Sequence, residues 1–239
     1  RIFPALFFVM LLCIPFAWVL MLPQEMKDFS QSLVAMSFFA SNILFKRESG
    51  YFQTTAEEKP LLHTWSLSVE EQYYVLFPIF LILLWRLGKN RVFYLIIVMM
   101  IISLIYSQWG SHHKPIANFY LAPTRAWELF IGSISAFIIL KRGKRNNNFL
   151  AMLGLVAIIF SVFVYDKNTP FPGIYTLLPV LGVMMIILFA NKETLVAKIL
   201  SIKILVEIGL ISYSAYLWHQ PLFAFARIKF DKPDDLILT

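Results

Sequence analysis

A short stretch in the first third of the chain places ionisable side chains directly before a long apolar run. The stretch is LLHTWSLSVEEQYYVLFP, residues 61–78, and it contributes His63, Glu70 and Glu71. A histidine beside a carboxylate is the usual combination for removing a proton from a hydroxyl, because the carboxylate favours the cationic imidazole. Since charge is costly at the mouth of an apolar segment, these groups are candidates for function.

Two later stretches carry the same kinds of side chain. FYLAPTRAWELFIGS contains Arg125 and Glu128, and ISYSAYLWHQPLF contains His219. An arginine could bind an anionic group or a developing oxyanion. The whole set suits acyl transfer to an alcohol, and it equally suits proton-coupled transport, which uses the same residue types. The residues alone leave both functions open.

The elements that must position these residues are membrane helices. The 239 residues are 59% hydrophobic and only 15% charged, whereas soluble domains carry about a quarter charged residues. A transmembrane helix needs about 20 mostly apolar residues, so the sequence predicts an all-α, polytopic transmembrane helix bundle. The single cysteine, Cys13, has no metal-ligand spacing around it and is interpreted as packing. The seven predicted membrane-crossing segments are residues 2–22, 66–86, 92–108, 119–140, 149–165, 174–190 and 204–225.

The distribution of basic residues predicts which ends of these helices face the cytoplasm. Arg1 and the connections 86–91, 141–148 and 191–203 together hold 11 of the 21 lysines and arginines, while the other connections are mixed or nearly neutral. The positive-inside rule therefore places these basic segments in the cytoplasm. This distribution also argues against a nucleic-acid partner, although the formal net charge is +7.

An eighth segment, residues 29–45, is short and carries several polar side chains. Helix 2–22 starts inside at Arg1 and ends outside, and helix 66–86 must end inside at its basic connection. An even number of crossings must therefore lie between them, and a single crossing by 29–45 would break the alternation. We expect this segment to be interfacial or re-entrant at the outer face.

This topology brings residues from three distant helices to the outer side, where we expect one polar site. The residues expected to act catalytically are His63, Glu70, Glu71, Arg125, Glu128 and His219. The residues expected to contact substrate are Trp65, Ser66, Ser68, Tyr73, Tyr213, Tyr216 and Trp218. The site is expected to contain no metal.

Each of these residues also has a purely structural interpretation. Ser68 and Glu71 fit an S-x-x-E capping box, and Arg125 and Glu128 are spaced to neutralise each other. His219 could sit in interfacial water, and the tryptophans fit an aromatic belt. Glu70 and Glu71 are neighbours that point about 100° apart, so they cannot share one cap. His112 and His113 are interpreted as solvated loop residues.

Four stretches together resemble the acyltransferase family 3 membrane proteins. They are RIFPAL at the start, LLHTWSLSVEEQYYVLFP, FYLAPTRAWELFIGSISA and ISYSAYLWHQPLF, in the family's order. The resemblance implies an enzyme of the bacterial inner membrane that moves an acetyl group from cytoplasmic acetyl-CoA to a hydroxyl of an extracytoplasmic glycan. The implied glycans are lipopolysaccharide O-antigen, peptidoglycan or exopolysaccharide. Arg1 falls at the second arginine of the family's R-x-x-R motif, which is thought to engage the donor, and a guanidinium suits CoA phosphates.

The chain also departs from the family pattern. Family members begin with two further helices, the first bearing a histidine, and continue past the C-terminal stretch, sometimes into an SGNH-type domain. We therefore expect residues 1–239 to be one integral-membrane acyltransferase domain truncated at both ends and inactive alone. The alternative function is a proton-coupled transporter or flippase of a glycan precursor, although no internal repeat supports it. A structural scaffold would leave the outer polar cluster without a purpose.

Overall fold

The structure, a computed structural model, describes residues 2–49, 56–166 and 169–231. Every regular element in these ranges is helical, as the sequence predicts. Short 3₁₀ turns at Ala56–Glu58, Trp85–Leu87 and Ile174–Thr176 join some of the α-helices. The α-helices are α1 Ile2–Leu20, α2 Pro23–Ser37, α3 Ser41–Glu48, α4 Thr64–Leu84, α5 Lys89–His113, α6 Pro115–Tyr120, α7 Ala122–Arg142, α8 Asn148–Val164, α9 Leu177–Phe189, α10 Leu195–Leu200 and α11 Lys203–Asp231.

Four helical stretches among the described residues are long and apolar enough to cross a membrane. They are Phe3–Leu20, Thr64–Leu87, Lys89–His113 and Pro115–Arg142. Two shorter apolar helices, Asn148–Val164 and Ile174–Phe189, follow them. Many large apolar side chains on these helices are exposed, as expected where lipid replaces water around the protein. The chain is therefore a helical membrane protein, and the count of seven crossings stays a prediction.

The predicted outer segment, residues 29–45, is not one continuous helix. α2 ends at Ser37, α3 begins at Ser41, and Phe39 between them has a positive φ of 53°. This left-handed conformation is uncommon for a large side chain and ends the first helix. The 15 residues of α2 and the 8 of α3 are each shorter than the roughly 20 needed to cross a bilayer.

The chain divides into two compact units. Unit 1 comprises Arg1–Glu71 and Glu207–Thr239, and unit 2 comprises Gln72–Val206. In unit 1, a buried hydroxyl cluster joins α3 to the first turns of α4. The Ser41 and Ser68 hydroxyl oxygens lie 2.7 Å apart, and the Thr64 hydroxyl oxygen lies 3.1 Å from that of Ser41. Unlike charged groups, hydroxyls can be buried at modest cost when they bond to one another.

This cluster corrects the capping-box interpretation of the S-x-x-E stretch. α4 begins at Thr64, so Ser68 lies in the second turn and cannot cap the helix start. Its hydroxyl instead contacts Ser41 and accepts a bond from the Ser41 backbone N–H over 3.3 Å. Glu71 therefore has no capping role with Ser68.

Unit 2 is built on two helix pairs, α5 with α7 and α8 with α9. Val92, Ile96, Phe130 and Ile134 form the buried centre of the first pair. The second pair crosses at two glycines that let the backbones approach closely. A Cβ added to Gly154 would lie 2.5 Å from the carbonyl oxygen opposite it.

The C-terminal end of α5 differs from the sequence prediction. His112 and His113 were expected in a loop, but α5 continues through both. The Gln108 side-chain amide lies 3.0 Å from the Nε2 atom of His112, and the His113 ring stacks on Trp109 with centroids 5.0 Å apart. These contacts, spaced four residues apart along the helix, extend it beyond its apolar part.

Candidate active site in unit 1

The centre of the candidate site is His63, the residue immediately before α4. Its side chain is buried, with only 7% of its surface exposed. Neither ring nitrogen has a hydrogen-bond partner of good geometry among the described residues. Because buried polar groups are nearly always paired, this imidazole is a candidate for contact with a substrate hydroxyl.

A second imidazole, that of His219 on α11, lies next to His63. The two ring centroids are 5.3 Å apart and the rings meet edge to face. The Nδ1 atom of His219 lies 2.6 Å from the backbone carbonyl of Tyr216. Since a carbonyl can only accept, Nδ1 must carry the proton in the neutral ring, which leaves Nε2 with a lone pair that can accept a proton.

Tyr216 ties the helix that carries His219 to the start of α4. Its hydroxyl donates to the backbone carbonyl of His63 over 2.6 Å, and its oxygen lies 2.6 Å from the hydroxyl of Ser66. Because the tyrosine proton is used by the carbonyl, the Ser66 hydroxyl donates to Tyr216. Tyr216 also packs edge to face on the His63 ring, with centroids 5.2 Å apart. Ser66 and Tyr216, expected to contact substrate, thus also hold the two histidines in place.

The environment of His63 disfavours its protonated form. Burial, with a smaller contribution from the nearby His219, lowers the pKa of His63 to about 3, although the Pro60 carbonyl acts in the opposite direction. Burial has this effect because a cationic imidazole loses its hydration in an apolar surrounding. His63 is therefore neutral at physiological pH, with one nitrogen that can donate a hydrogen bond and one that can accept.

Both predicted carboxylates belong to the same unit. Glu71 is buried and Glu70 half-buried, and both lie within electrostatic reach of Tyr213. Glu70 also lies within electrostatic reach of Tyr216. No hydrogen bond joins either carboxylate to a histidine among the residues the structure describes. The partnership of a glutamate with a histidine base therefore stays a prediction.

The remaining predicted contacts of unit 1, Trp65 and Trp218, are both half-buried. One neighbour of His219 was missed at the sequence level. The side-chain amide of Gln220 donates to the Lys59 carbonyl over 3.1 Å and so ties α11 to the segment before α4. The residue stands in the quoted YLWHQPL stretch, but a lone glutamine in a helix gives no signal of a contact with a segment 161 residues away.

Unit 2 holds the other predicted catalytic residues. The guanidinium of Arg125 lies between two aromatic rings, 5.3 Å from the centroid of Phe119 and 5.2 Å from that of Phe171. Such cation–π contacts fix the plane of a guanidinium. Glu128 follows one helical turn later, and its Oε1 atom is buried with no hydrogen-bond partner among the described residues.

Three further predictions have different outcomes. Tyr73 lies in unit 2, where its hydroxyl is 2.6 Å from that of Ser133. Arg1, the expected donor contact, lies outside the described residues. Within the described part of the chain, no three His, Cys, Asp or Glu side chains are placed to hold a metal ion. The convergence of all six predicted catalytic residues stays a prediction, because Arg125 and Glu128 belong to the other unit.

Helical membrane architecture, with a buried histidine at the start of a helix and an exposed histidine next to it, fits an integral-membrane transferase. Comparison with known proteins identifies the class further, since residues 1–237 match the family described as Acyltransferase domain. The chain therefore belongs to the acyltransferase family 3 proteins, an enzyme class, as its motifs predict.

Two relatives illustrate the similarity. The chain is 31% identical over 200 residues to an uncharacterised protein of Haemophilus influenzae, and the match covers 78% of this chain and 82% of that protein. It is 30% identical over 241 residues to the peptidoglycan O-acetyltransferase OatA of Listeria monocytogenes, covering 93% of this chain. The match spans only 38% of the length of OatA. No solved structure matches the chain significantly.

Proposed function

We propose that this chain provides the membrane-embedded part of an O-acetyltransferase of the bacterial inner membrane. The enzyme moves an acetyl group from cytoplasmic acetyl-CoA to a hydroxyl of an extracytoplasmic glycan, namely lipopolysaccharide O-antigen, peptidoglycan or exopolysaccharide. Family membership and the name of the Listeria relative support O-acetyl transfer. The observation that carries the assignment of the site is the buried His63, neither of whose ring nitrogens has a hydrogen-bond partner of good geometry among the described residues.

The two histidines differ in the work that they can do. A general base is most effective when its pKa lies near the working pH, so His63, with a pKa of about 3, is a weak proton acceptor. It suits hydrogen bonding that orients the acceptor hydroxyl. His219 is exposed, and its tautomer is set by the Tyr216 carbonyl. We assign proton removal from the acceptor hydroxyl to the Nε2 atom of His219.

The other predicted residues serve the charges that develop in this reaction. When the acceptor oxygen attacks the acetyl carbonyl, the hydroxyl proton passes to His219 and the carbonyl oxygen becomes negative. Collapse of this intermediate breaks the bond between the acetyl carbon and the leaving atom of the donor, the thioester sulfur when the donor is acetyl-CoA itself, and the leaving group takes up the proton from His219. The negative charges of Glu70 and Glu71 in the same unit stabilise a protonated imidazole. A guanidinium can stabilise such an anionic oxygen, and Arg125 remains the residue that the sequence predicts for this role. Arg1 contacts the phosphates of the acyl donor.

The test is acetyl transfer by the membrane-embedded protein that contains this chain, reconstituted in liposomes with labelled acetyl-CoA and a glycan acceptor. His219→Gln is expected to lower kcat by about 10²- to 10⁴-fold, the usual contribution of a general base. His63→Gln is expected to raise KM for the acceptor, because it removes an orienting contact. His112→Gln, on an exposed histidine of α5, is the matched control and should retain activity.

Two results would contradict the proposal. If all three variants transferred acetyl groups at the parental rate, the histidine pair would have no part in the reaction. If the parental protein moved the intact glycan across the membrane without incorporating label, it would be a transporter. Retention of the fold is checked by size-exclusion chromatography and thermal unfolding of each variant.

A further inference from the structure

Unit 2 contains a large cavity that the proposed reaction does not use. Its volume is about 700 Å³, and it lies between the first turns of α5 and the last turns of α7. The 3₁₀ turn after α4 contributes Trp85 to its wall. The basic connections that flank these helix ends are those that the positive-inside rule assigns to the cytoplasm. The predicted topology therefore places the cavity at the boundary between the cytoplasm and the membrane.

The polarity of the cavity changes from one end to the other. Its rim is formed by Lys89 and Asn90 at the start of α5 and by Lys141 and Arg142 at the end of α7. One helical turn further toward the middle of both helices, about 5 Å away, the lining consists of large apolar side chains. These side chains are Phe93, Tyr94, Phe137 and Ile138. A ligand that fits this order is anionic at one end and hydrocarbon at the other.

The charge at the rim has one sign. Three cationic side chains line the cavity, and none of the described residues that line it is acidic. Contacts hold two of the cations at the rim, since the Lys141 ammonium lies 3.4 Å from the Asn90 side-chain oxygen and the Lys89 ammonium lies 5.9 Å from the Trp85 ring centroid. Neither contact neutralises the charge. Three cations around one opening, with no acidic side chain among the described residues that line it, attract a phosphate group.

The apolar side of the cavity is open toward lipid. Leu140 is 84% exposed and Tyr94 is 66% exposed, and on membrane helices such surface contacts hydrocarbon chains. Deeper, Phe137 packs against Phe93 and Trp85, with ring centroids 5.9 Å and 6.4 Å apart. A nucleotide has no hydrocarbon to cover Leu140 and Tyr94, whereas the acyl chain of a lipid does.

We propose that this cavity binds an anionic phospholipid of the cytoplasmic leaflet. The phosphodiester lies among Lys89, Lys141 and Arg142, and an acyl chain runs along Tyr94 and Leu140. Bound in this way, the lipid joins α5 to α7 at their cytoplasmic ends. This inference does not depend on the acyltransferase activity, because none of these residues belongs to the histidine site.

The test measures lipid binding to the membrane protein that contains this chain by native mass spectrometry during titration with phosphatidylglycerol or phosphatidylethanolamine. The parental protein is expected to prefer phosphatidylglycerol by about tenfold or more, because this lipid is net anionic whereas the ammonium of phosphatidylethanolamine offsets its phosphodiester charge, and each cation near a net anionic headgroup contributes about fivefold. The triple variant Lys89→Gln, Lys141→Gln, Arg142→Gln should lose this preference. The matched control, Lys192→Gln, Lys198→Gln, Lys203→Gln, removes three positive charges from another connection predicted to be cytoplasmic. It should keep the preference for phosphatidylglycerol.

A second measurement uses only the parental protein, so a variant that fails to fold does not affect it. Phosphatidylglycerol with a photoreactive acyl chain should label the parental protein within residues 85–94 and 137–142. Labelling confined to other helices would overturn the proposal, as would equal loss of preference in the rim variant and its control. Displacement of phosphatidylglycerol by an equal concentration of free CoA would also overturn it, because the cavity would then bind a soluble phosphate ester.

Discussion

Removing the hydroxyl of Tyr216 tests whether the contact between α11 and the start of α4 positions the candidate site. Tyr216→Phe deletes two hydrogen bonds of 2.6 Å, one to the His63 carbonyl and one from Ser66. Each such bond contributes about 1 kcal/mol net, so the free energy of unfolding should fall by about 2 kcal/mol. The ring itself remains, so its edge-to-face packing on His63 is preserved.

The measurement is unfolding of the purified protein in mild detergent, followed by acetyl transfer on the same samples. Tyr106→Phe is the matched control, since Tyr106 is exposed on α5 and its hydroxyl makes no hydrogen bond among the described residues. The control should change stability by less than about 0.5 kcal/mol, as surface substitutions usually do. Tyr216→Phe should also lower acetyl transfer, because the His63 backbone loses its anchor. Equal stability and equal activity in the two variants would refute this role of Tyr216.

Two further predictions concern packing and pH. Gly154→Ala should destabilise the protein by about 1 to 3 kcal/mol, the usual cost of overpacking, because its Cβ would lie 2.5 Å from the backbone oxygen of Gly182. The control is Gly132→Ala, which should be neutral or stabilising because an added Cβ there has nothing within 4 Å. Unfolding in detergent measures the stability of both variants. The pKa of His63 is lowered to about 3, so the unfolded chain binds a proton that the folded chain does not as pH falls below about 6.5. Lowering the pH from 7.5 to 5 should therefore reduce the free energy of unfolding by about 2 kcal/mol through this one group. Thermal unfolding of His63→Gln should show a correspondingly smaller dependence on pH. An unchanged dependence would contradict the low pKa of His63.

The helical elements could be predicted from the sequence because the membrane imposes a minimum apolar length. Residues 149–165 were expected as a helix and α8 occupies Asn148–Val164; residues 204–225 were expected and α11 occupies Lys203–Asp231. The predicted helix boundaries are wrong where the sequence becomes polar, because the minimum apolar length does not apply to polar residues. The extension of α5 to His113 depends on side-chain contacts, which a hydropathy pattern does not show.

The candidate site could be predicted only in part. Topology placed His63 and His219 at the same end of their helices, and the structure brings their rings to 5.3 Å. The role of Ser68 was not predictable, because its bond to Ser41 depends on the break at Phe39, a residue type that rarely adopts a positive φ. The link from Gln220 to Lys59 was missed because sequence spacing carries no information about contacts between distant segments.

Burial of the His63 ring has two consequences for its role. Placing an imidazole among apolar side chains makes the ring neutral, which prevents it from repelling a second imidazole 5.3 Å away if that ring becomes cationic. The same burial excludes bulk water, so an incoming hydroxyl meets less competition for the ring nitrogens. A solvated histidine at this position would give up both properties. Burial therefore weakens His63 as a base but strengthens it as a hydrogen-bonding neighbour of His219, and this difference leads us to assign the proton transfer to His219.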